Sequence, residues 1–588
     1  MEYHARLKRF QAELNSSQTR FHQLGNARLI TGVGALAIAG LSIGAKLFSA
    51  WWLLLPLVVF IALAIIHDRV DKARARSQRA VKFYEWMVAR VENRWIGHGH
   101  NGAEFQQPGH LYSDDLDVLG PGSLFERISS ARTTAGSRAL SLWLLQAAPR
   151  QLVLERQEAV AELAPLLDLR EDIAMMGDDV RTAIDDRAAR SWGRNPAAAF
   201  FPYAKWVALA LAIAAVVTLS LAIAQILSPR PFLAVVLAEL IFGFAVRSSV
   251  GQVMATVATP SRELRLLGLL LEKLEQQPFR SPLLTRLVKR IDVHGLTPSA
   301  EIHRLVTLVE RLDWTRNQFF RVIASPLMWV PQCAMAIERW RADCGEHIGE
   351  WIAAVGEFEA LCSLASFSYE RHDAVWPDLD EGTSPLLHAN AVKHPLLDPA
   401  KAVANDVTLD AQCPLWIISG SNMSGKSTLL RAAGLNVVLA WAGAPVCCGQ
   451  LRVSRLALGA SIRVNDSLAD NRSRFYAEIT RLRDIVSLTQ SPVPLFFLLD
   501  ELLSGTNSHD RRIGAASVVR GLIERGAIGF VTTHDLALAE IGDHLRARNV
   551  HFEDQMERGE MHFDYRLRPG VVERSNALEL MRAVGLPV

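Results

Sequence analysis

The sequence predicts an α/β P-loop domain at its C-terminal end, an all-α region before it, and four transmembrane helices set into that region as two hairpins. Three observations predict this. At 415–431 an apolar run meets a glycine-rich turn and then a helix-forming stretch. From Val392 onward short apolar runs alternate with helical patterns, the mark of an α/β domain. Before that the pattern is helical, broken by four long runs with almost no charge.

Composition bounds the rest. At 588 residues the chain has room for several units of about 150 residues each. The net charge of +2 is nearly balanced, so any nucleic-acid surface would have to be a local patch. The six cysteines form no C-x-x-C pair and no His-rich zinc spacing, and read as reduced thiols of a cytosolic protein.

In chain order, a charged leader at 1–28 carries Arg6, Lys8, Arg9, Arg20 and Arg28. Runs at 29–45 and 50–66 follow as one hairpin of two short spans, 29–66. The charged leader and the second span argue against a cleaved signal peptide. Residues 67–201 are helical in pattern, with a looser patch at 97–109. Their basic run at 69–82 reads as a juxtamembrane segment drawn to anionic lipid rather than as a DNA patch. A second hairpin spans 206–246. Its first run, 206–227, is the strongest of the four; its second, 232–246, is short and carries Glu239, so a re-entrant or buried helix remains the alternative there. The turns between spans hold only Lys46 and Arg230, whereas cations crowd the flanks. The positive-inside rule therefore puts every soluble part on the cytoplasmic side of an inner or plasma membrane.

The second helical part covers 259–370. Thr259-Pro260 offers the N-cap and first-turn residues of a helix start, and Leu264, Leu267, Leu271 and Leu274 form a stripe suited to bundle packing. The linker 371–384, rich in Asp, Glu, Pro and Gly, precedes the α/β domain at 385–588.

Inside that domain, Gly420-Ser-Asn-Met-Ser-Gly-Lys-Ser-Thr428 has the spacing of a phosphate-binding loop between strand and helix. Glycines let backbone N–H groups converge on an anion, and the helix that follows turns its positive end toward it. Lys426 is expected to reach the β- and γ-phosphates of ATP, and the Ser427 hydroxyl to bind Mg²⁺. A second buried strand ends in Asp500-Glu501. Asp500 is expected in the Mg²⁺ shell and Glu501 as the base that polarises the attacking water. A third strand ends in His534, where a γ-phosphate sensor is useful.

These motifs, with Ser473-Arg-Phe475-Tyr-Ala-Glu478, Asp500-Glu-Leu-Leu-Ser-Gly-Thr-Asn507 and Thr532-Thr-His534, closely resemble the ABC-type ATPase domain of the MutS family of DNA mismatch repair proteins. Val392-Lys-His394-Pro395, Asn549-Val-His551 and Ser575-Asn-Ala-Leu578 resemble further stretches of that domain, and 122–163 the start of the family's helical core and lever. The resemblance implies a dimer around two ATP–Mg²⁺ sites. Ser473 would act in trans on the partner's γ-phosphate. Gly420, Ser421, Asn422, Met423, Ser424, Gly425, Lys426, Ser427 and Thr428 would cradle the phosphates, and Val403, Asn405 and His551 would lie near the adenine. Ser421 stands where the family has proline, Arg474 where it has threonine, and Ala402 where an aromatic packs on the base.

Other departures concern DNA. The family's mismatch-reading module would precede the core, where only 28 residues come before the first apolar run, and the usual helical dimerisation tail is not evident. Phe83-Tyr84-Glu85 spells the family's wedge motif beside a span, where helix packing is the simpler reading. The second hairpin falls where the family's DNA clamp interrupts the core. The expectation is a membrane-anchored ATPase, a homodimer in contact with lipid, coupled either to DNA or to membrane partners; an idle nucleotide-gated scaffold sits poorly with intact Lys426, Asp500 and Glu501.

Overall fold

The computed structural model describes residues 2–44, 49–176, 186–196, 198–292, 295, 297–421, 423–463, 474–503, 506–534, 545–557 and 560–571. The chain forms two compact units, Met1–Gly99 with Leu167–Val180, and His100–Leu166 with Arg181–Val588.

The first unit is a pair of helices, Glu2–Ala39 and Leu54–Val91, joined by a π turn and a 3₁₀ turn. Each helix has 38 residues, about 57 Å at the usual rise, so the leader and the first apolar run belong to one helix. The expected divisions at 28 and 66 therefore fall inside helices, because a helix has no reason to stop where its polarity changes. One end of the pair is packed. Tyr3, Phe10 and Tyr84 are buried together, with Phe10 stacked on Tyr84 at 5.8 Å. The Tyr84 hydroxyl donates to Glu171 of the helix Leu167–Met175, and Arg6 reaches the same carboxylate at 2.7 Å. The wedge-like triplet at 83–85 is thus occupied in packing. Lys72, Arg74 and Arg76 of the basic run pair with Asp68, Asp71 and Asp172, which leaves fewer cations for a lipid surface. The other end of the pair exposes Leu29, Ile30, Leu36, Trp51, Leu55 and Ile61, a display of apolar surface that water disfavours.

The second unit begins with irregular backbone up to Ser123, a longer loose stretch than the expected patch at 97–109. Its own helical hairpin pairs Ala204–Ile223 with Arg230–Gln276. Ala204, Ala208, Ala212 and Ala215 form a buried small-residue stripe, which lets the two backbones approach closely. The helix Arg230–Gln276 runs unbroken through Thr259-Pro260, so no helix starts there. Val253, Val257, Leu264 and Leu267 fall on one buried stripe, and keeping that stripe intact outweighs the roughly 3 kcal/mol that an interior proline costs.

The helix that carries the leucine stripe packs on the helix Pro298–Asp313, where Ile302 and Leu305 are buried, within a bundle that includes the helix Ile348–Glu370, itself buried on almost every face. Glu359 of that helix is fully buried. It accepts the backbone N–H of Arg132 at 2.9 Å and both the N–H and hydroxyl of Thr133, and burial raises its pKa. Glu359→Ala should orphan these donors and cost about 3 kcal/mol, read as a lowered thermal midpoint.

The α/β domain holds two sheets. Strands β1 (Asp378–Leu379), β2 (Leu387–Val392), β3 (Asn405–Leu409), β4 (Leu415–Ser419), β5 (Gln450–Val453), β6 (Ala457–Ser461), β7 (Leu495–Asp500), β8 (Ile528–Thr533), β9 (Ala547–Glu557) and β10 (Glu560–Pro569) divide between them. The larger sheet has the order β10-β9-β4-β8-β7-β6, parallel except at β10. Its inner strands β4, β7 and β8 are mainly apolar and its buried core includes Ile417, Leu499 and Val531, as a sheet covered by helices requires, whereas β9 and β10 at one edge are rich in charge. The smaller sheet, β1-β5-β2-β3, is largely antiparallel and has no counterpart in the sequence reading.

Candidate functional site

Strand β4 lies between β8 and β9, so the crevice outside its C-terminal end is where an open parallel sheet binds ligands. There the chain turns at Gly420 with φ 145°, and a Cβ would meet Ser424 Oγ at 2.7 Å and the Phe552 carbonyl oxygen at 3.1 Å. Gly425, at φ 106°, caps the helix Lys426–Ala442, so the helix opens on the lysine itself.

Lys426 is buried. Its ammonium donates to the carbonyls of Gly420 at 2.7 Å and Ser421 at 3.0 Å, and lies 3.5 Å from Glu501 Oε1. The Ser427 hydroxyl donates to Asp500 Oδ2, and Thr532 Oγ1 donates to Asp500 Oδ1. Thr532 Oγ1 in turn accepts the Glu501 N–H at 3.1 Å. Glu501 holds φ 48°, a left-handed backbone that strains a residue with a Cβ and is found where function needs it. His534 Nδ1 lies 3.7 Å from Glu501 Oε1. The two carboxylates, the lysine, the serine and the histidine thus converge from β4, β7 and β8.

The other expected residues divide. Ser424 is buried and bonds the Ser421 carbonyl at 2.8 Å, whereas Met423 stands exposed. Ser421 Oγ is buried with no hydrogen-bond partner among the described residues, an unspent polar atom in the loop. Val403, Asn405 and Thr428 line a cavity of about 280 Å³ with Gly425, His394 and Tyr565. His551 is not among its lining residues. It follows from the alternation of a strand: Phe552 faces the cavity, so His551 faces away, its Nδ1 3.2 Å from the Gly570 carbonyl. Asn405 lines the cavity but spends its amide on β10, donating to the Tyr565 carbonyl at 3.0 Å and accepting from Leu567 N–H at 2.7 Å. Asn422, Ser473 and the stretch 575–578 lie outside the described residues.

Three residues with site roles carried no assignment from sequence. Tyr565 sits at a break in the β9–β10 register with φ 54°, its ring 3.1 Å from where a Cβ on Gly425 would be. The missing aromatic at Ala402 was the signal that could have prompted a search for it. Glu478 is buried and accepts the Leu503 N–H, which fastens the helix Arg474–Ser487 to the turn after Glu501. Asp115 accepts the N–H groups of Ile462 at 2.7 Å and Arg463 at 2.8 Å, bonds Arg481, and offers its carbonyl to Arg431 at 2.9 Å. No motif announces it.

His394, in the same cavity, is pushed down to about 4 by burial and then by the charge of Arg431. Below its ordinary value of 6.5 the unfolded chain takes up a proton that the folded chain refuses, so this stability is present above that value and is lost as pH falls toward 4. The full gap amounts to about 3 kcal/mol. Wild type should lose about 2 kcal/mol more than His394→Gln between pH 7 and pH 5, measured by thermal unfolding at each pH.

Among the described residues no group of three or more His, Cys, Asp or Glu side chains forms a metal cage. A divalent cation at this site would take Ser427 and Asp500 from the protein and the rest from phosphate and water, the pattern usual for Mg²⁺.

The family model for MutS domain V matches residues 416–588. Among curated proteins, the DNA mismatch repair protein MutS of Natronomonas pharaonis is 31% identical over 247 residues, covering 41% of this chain and 28% of the relative. The endonuclease MutS2 of Thermomicrobium roseum is 30% identical over 260 residues, 42% of this chain and 32% of the relative. The match spans under a third of the length of either relative.

Proposed function

This chain belongs to the MutS family through the domain V at residues 416–588, and from that premise we propose that it is a Mg²⁺-dependent ATPase that works as a homodimer anchored in a membrane. The observation that carries the proposal is the meeting of Lys426, Ser427, Asp500 and Glu501 at the strand ends, beside an unspent Ser421 hydroxyl and loop glycines too confined for side chains.

Lys426 binds phosphate oxygens with an ammonium already stripped of water. Ser427 and Asp500 would hold the metal, which when bound would supply positive charge against the charge that develops on the phosphate oxygens. Glu501 takes the proton of the water that attacks the γ-phosphorus, and the ADP oxygen leaves with the bond's electrons. The strained Glu501 backbone, pinned by Thr532, fixes the direction of that carboxylate. His534 orients the same water from the neighbouring strand. By the resemblance, Ser473 acts on the γ-phosphate bound by the partner subunit and Asn422 belongs to the phosphate-binding loop. Tyr565 carries the adenine in place of the absent aromatic at 402; Tyr565→Ala should raise KM for ATP about tenfold and leave kcat nearly unchanged.

Membrane anchoring draws on four helices that, among the described residues, are long and apolar enough to cross a bilayer: Glu2–Ser42, Trp51–Val91, Ala204–Ile223 and Arg230–Val257. With the cations at their flanks, the ATPase domain faces the cytoplasm. Because the helix Arg230–Gln276 joins an apolar span to the bundle without a break, the levers act on the membrane end of the molecule.

The test is an ATPase assay of the detergent-purified full chain with Mg²⁺, with EDTA, with lipid vesicles and with duplex DNA. Hydrolysis that EDTA abolishes supports the enzyme, and hydrolysis absent in every arm sinks it. Stimulation by vesicles supports the membrane role. The relatives are named for DNA repair and for an endonuclease, so the DNA arm decides that coupling: stimulation that fades steeply with salt would place DNA among the partners.

A further inference from the structure

Glu239 is the one charged residue between Arg230 and Arg247. It lies close to the middle of that segment, which is about 25 Å long as a helix. Glu239 is 7% exposed, and its Oε1 is buried with no hydrogen-bond partner among the described residues. Ala204 and Ala208 pack with Phe242 and Val246, so the antiparallel pairing of the two helices brings the buried Ala212 level with Glu239 and Ala215 about one turn beyond it. Those alanines offer it no polar atom. The Thr218 hydroxyl, about two turns further along the same helix, is spent on the Ala214 carbonyl at 2.6 Å. Lys205, Arg247 and the Glu338–Arg341 pair of the helix Trp329–Cys344 sit at one end of the hairpin and Arg230 at the other, away from the carboxylate.

A carboxylate in the middle of a span that served only as an anchor would cost about 3 kcal/mol for no return. Its ligand must also be small, because the hairpin itself covers the group and leaves no entry for another helix. A metal cation would need several oxygen ligands where the chain supplies one carboxylate. We propose that Glu239 is a proton-binding carboxyl in the middle of the second hairpin, facing the alanine stripe. This rests on the membrane reading above.

The test uses the full chain reconstituted in vesicles of phosphatidylcholine and phosphatidylglycerol. Flotation first shows whether the chain is membrane-bound. The vesicles are then treated with dicyclohexylcarbodiimide or with a water-soluble carbodiimide, and the Glu239 peptide is weighed by mass spectrometry. A protonated carboxyl gives its proton to a carbodiimide nitrogen while its oxygen bonds the central carbon; the acyl group then shifts from oxygen to nitrogen. No atom leaves, so the peptide gains the whole mass of the reagent. The expected result is an adduct with the apolar reagent only, formed more slowly as the buffer is made alkaline and lost in Glu239→Gln. A chain that floats but gives no adduct, or an equal adduct with both reagents, overturns the proposal and leaves the membrane reading standing. A chain that does not float overturns both.

Discussion

Glu501→Gln should lower kcat for ATP hydrolysis by about 10²–10⁴-fold, the range in which a general base contributes, while nucleotide still binds. Glutamine keeps the size and the hydrogen-bonding reach of the side chain but accepts no proton. The neighbourhood predicts retained binding. The backbone N–H of Glu501 is held by Thr532, and Asp500 by Ser427 and Thr532, so none of these bonds involves the altered atoms. The variant should accumulate as an ATP-bound dimer, seen as a shift in mass on adding ATP and Mg²⁺. Turnover at the wild-type rate would show that another group takes the proton.

Lys426→Ala should fail at the earlier step. Among the described residues the buried ammonium and His534 are the cations within 4 Å of Glu501, and the ammonium is held by the Gly420 and Ser421 carbonyls. A charge-assisted contact of this kind is worth about 1.5–3 kcal/mol, so removing it should weaken ATP binding by about 10- to 100-fold or more where several phosphate oxygens are involved. A fluorescent ATP analogue titrated into wild type and variant reads this directly. The thermal midpoint of the variant should no longer rise with added ATP. Unchanged affinity would remove the lysine from the phosphate site.

Much of this was legible in the residues. The run Leu415–Ser419 followed by confined glycines and Lys426 specifies strand, turn and helix locally, because each residue type suits the backbone it adopts. Asp500 and Glu501 were legible because a wholly apolar strand leaves its first carboxylates at its mouth. What was not legible depended on pairing across distance. His551 and Phe552 look equally eligible in a line of text, and only the register with β4 decides which one faces the cavity. Tyr565 is re-aimed by a strand irregularity, and Asp115 meets its donors across more than 300 residues of chain. Thr259-Pro260 misled for the opposite reason: its local preference was read well, but a buried stripe on both sides overrode it.

The 47-residue helix Arg230–Gln276 behaves as a single rod about 70 Å long, and such a rod converts small angles into large excursions. A tilt of about ten degrees imposed where it meets the bundle would sweep its far tip sideways by several ångströms. Pro260 donates no N–H to the carbonyl four residues earlier, which makes it the weakest joint along the shaft. An alanine there would restore that hydrogen bond, so a given tilt would carry further along the rod, whereas a glycine would let the bend absorb it.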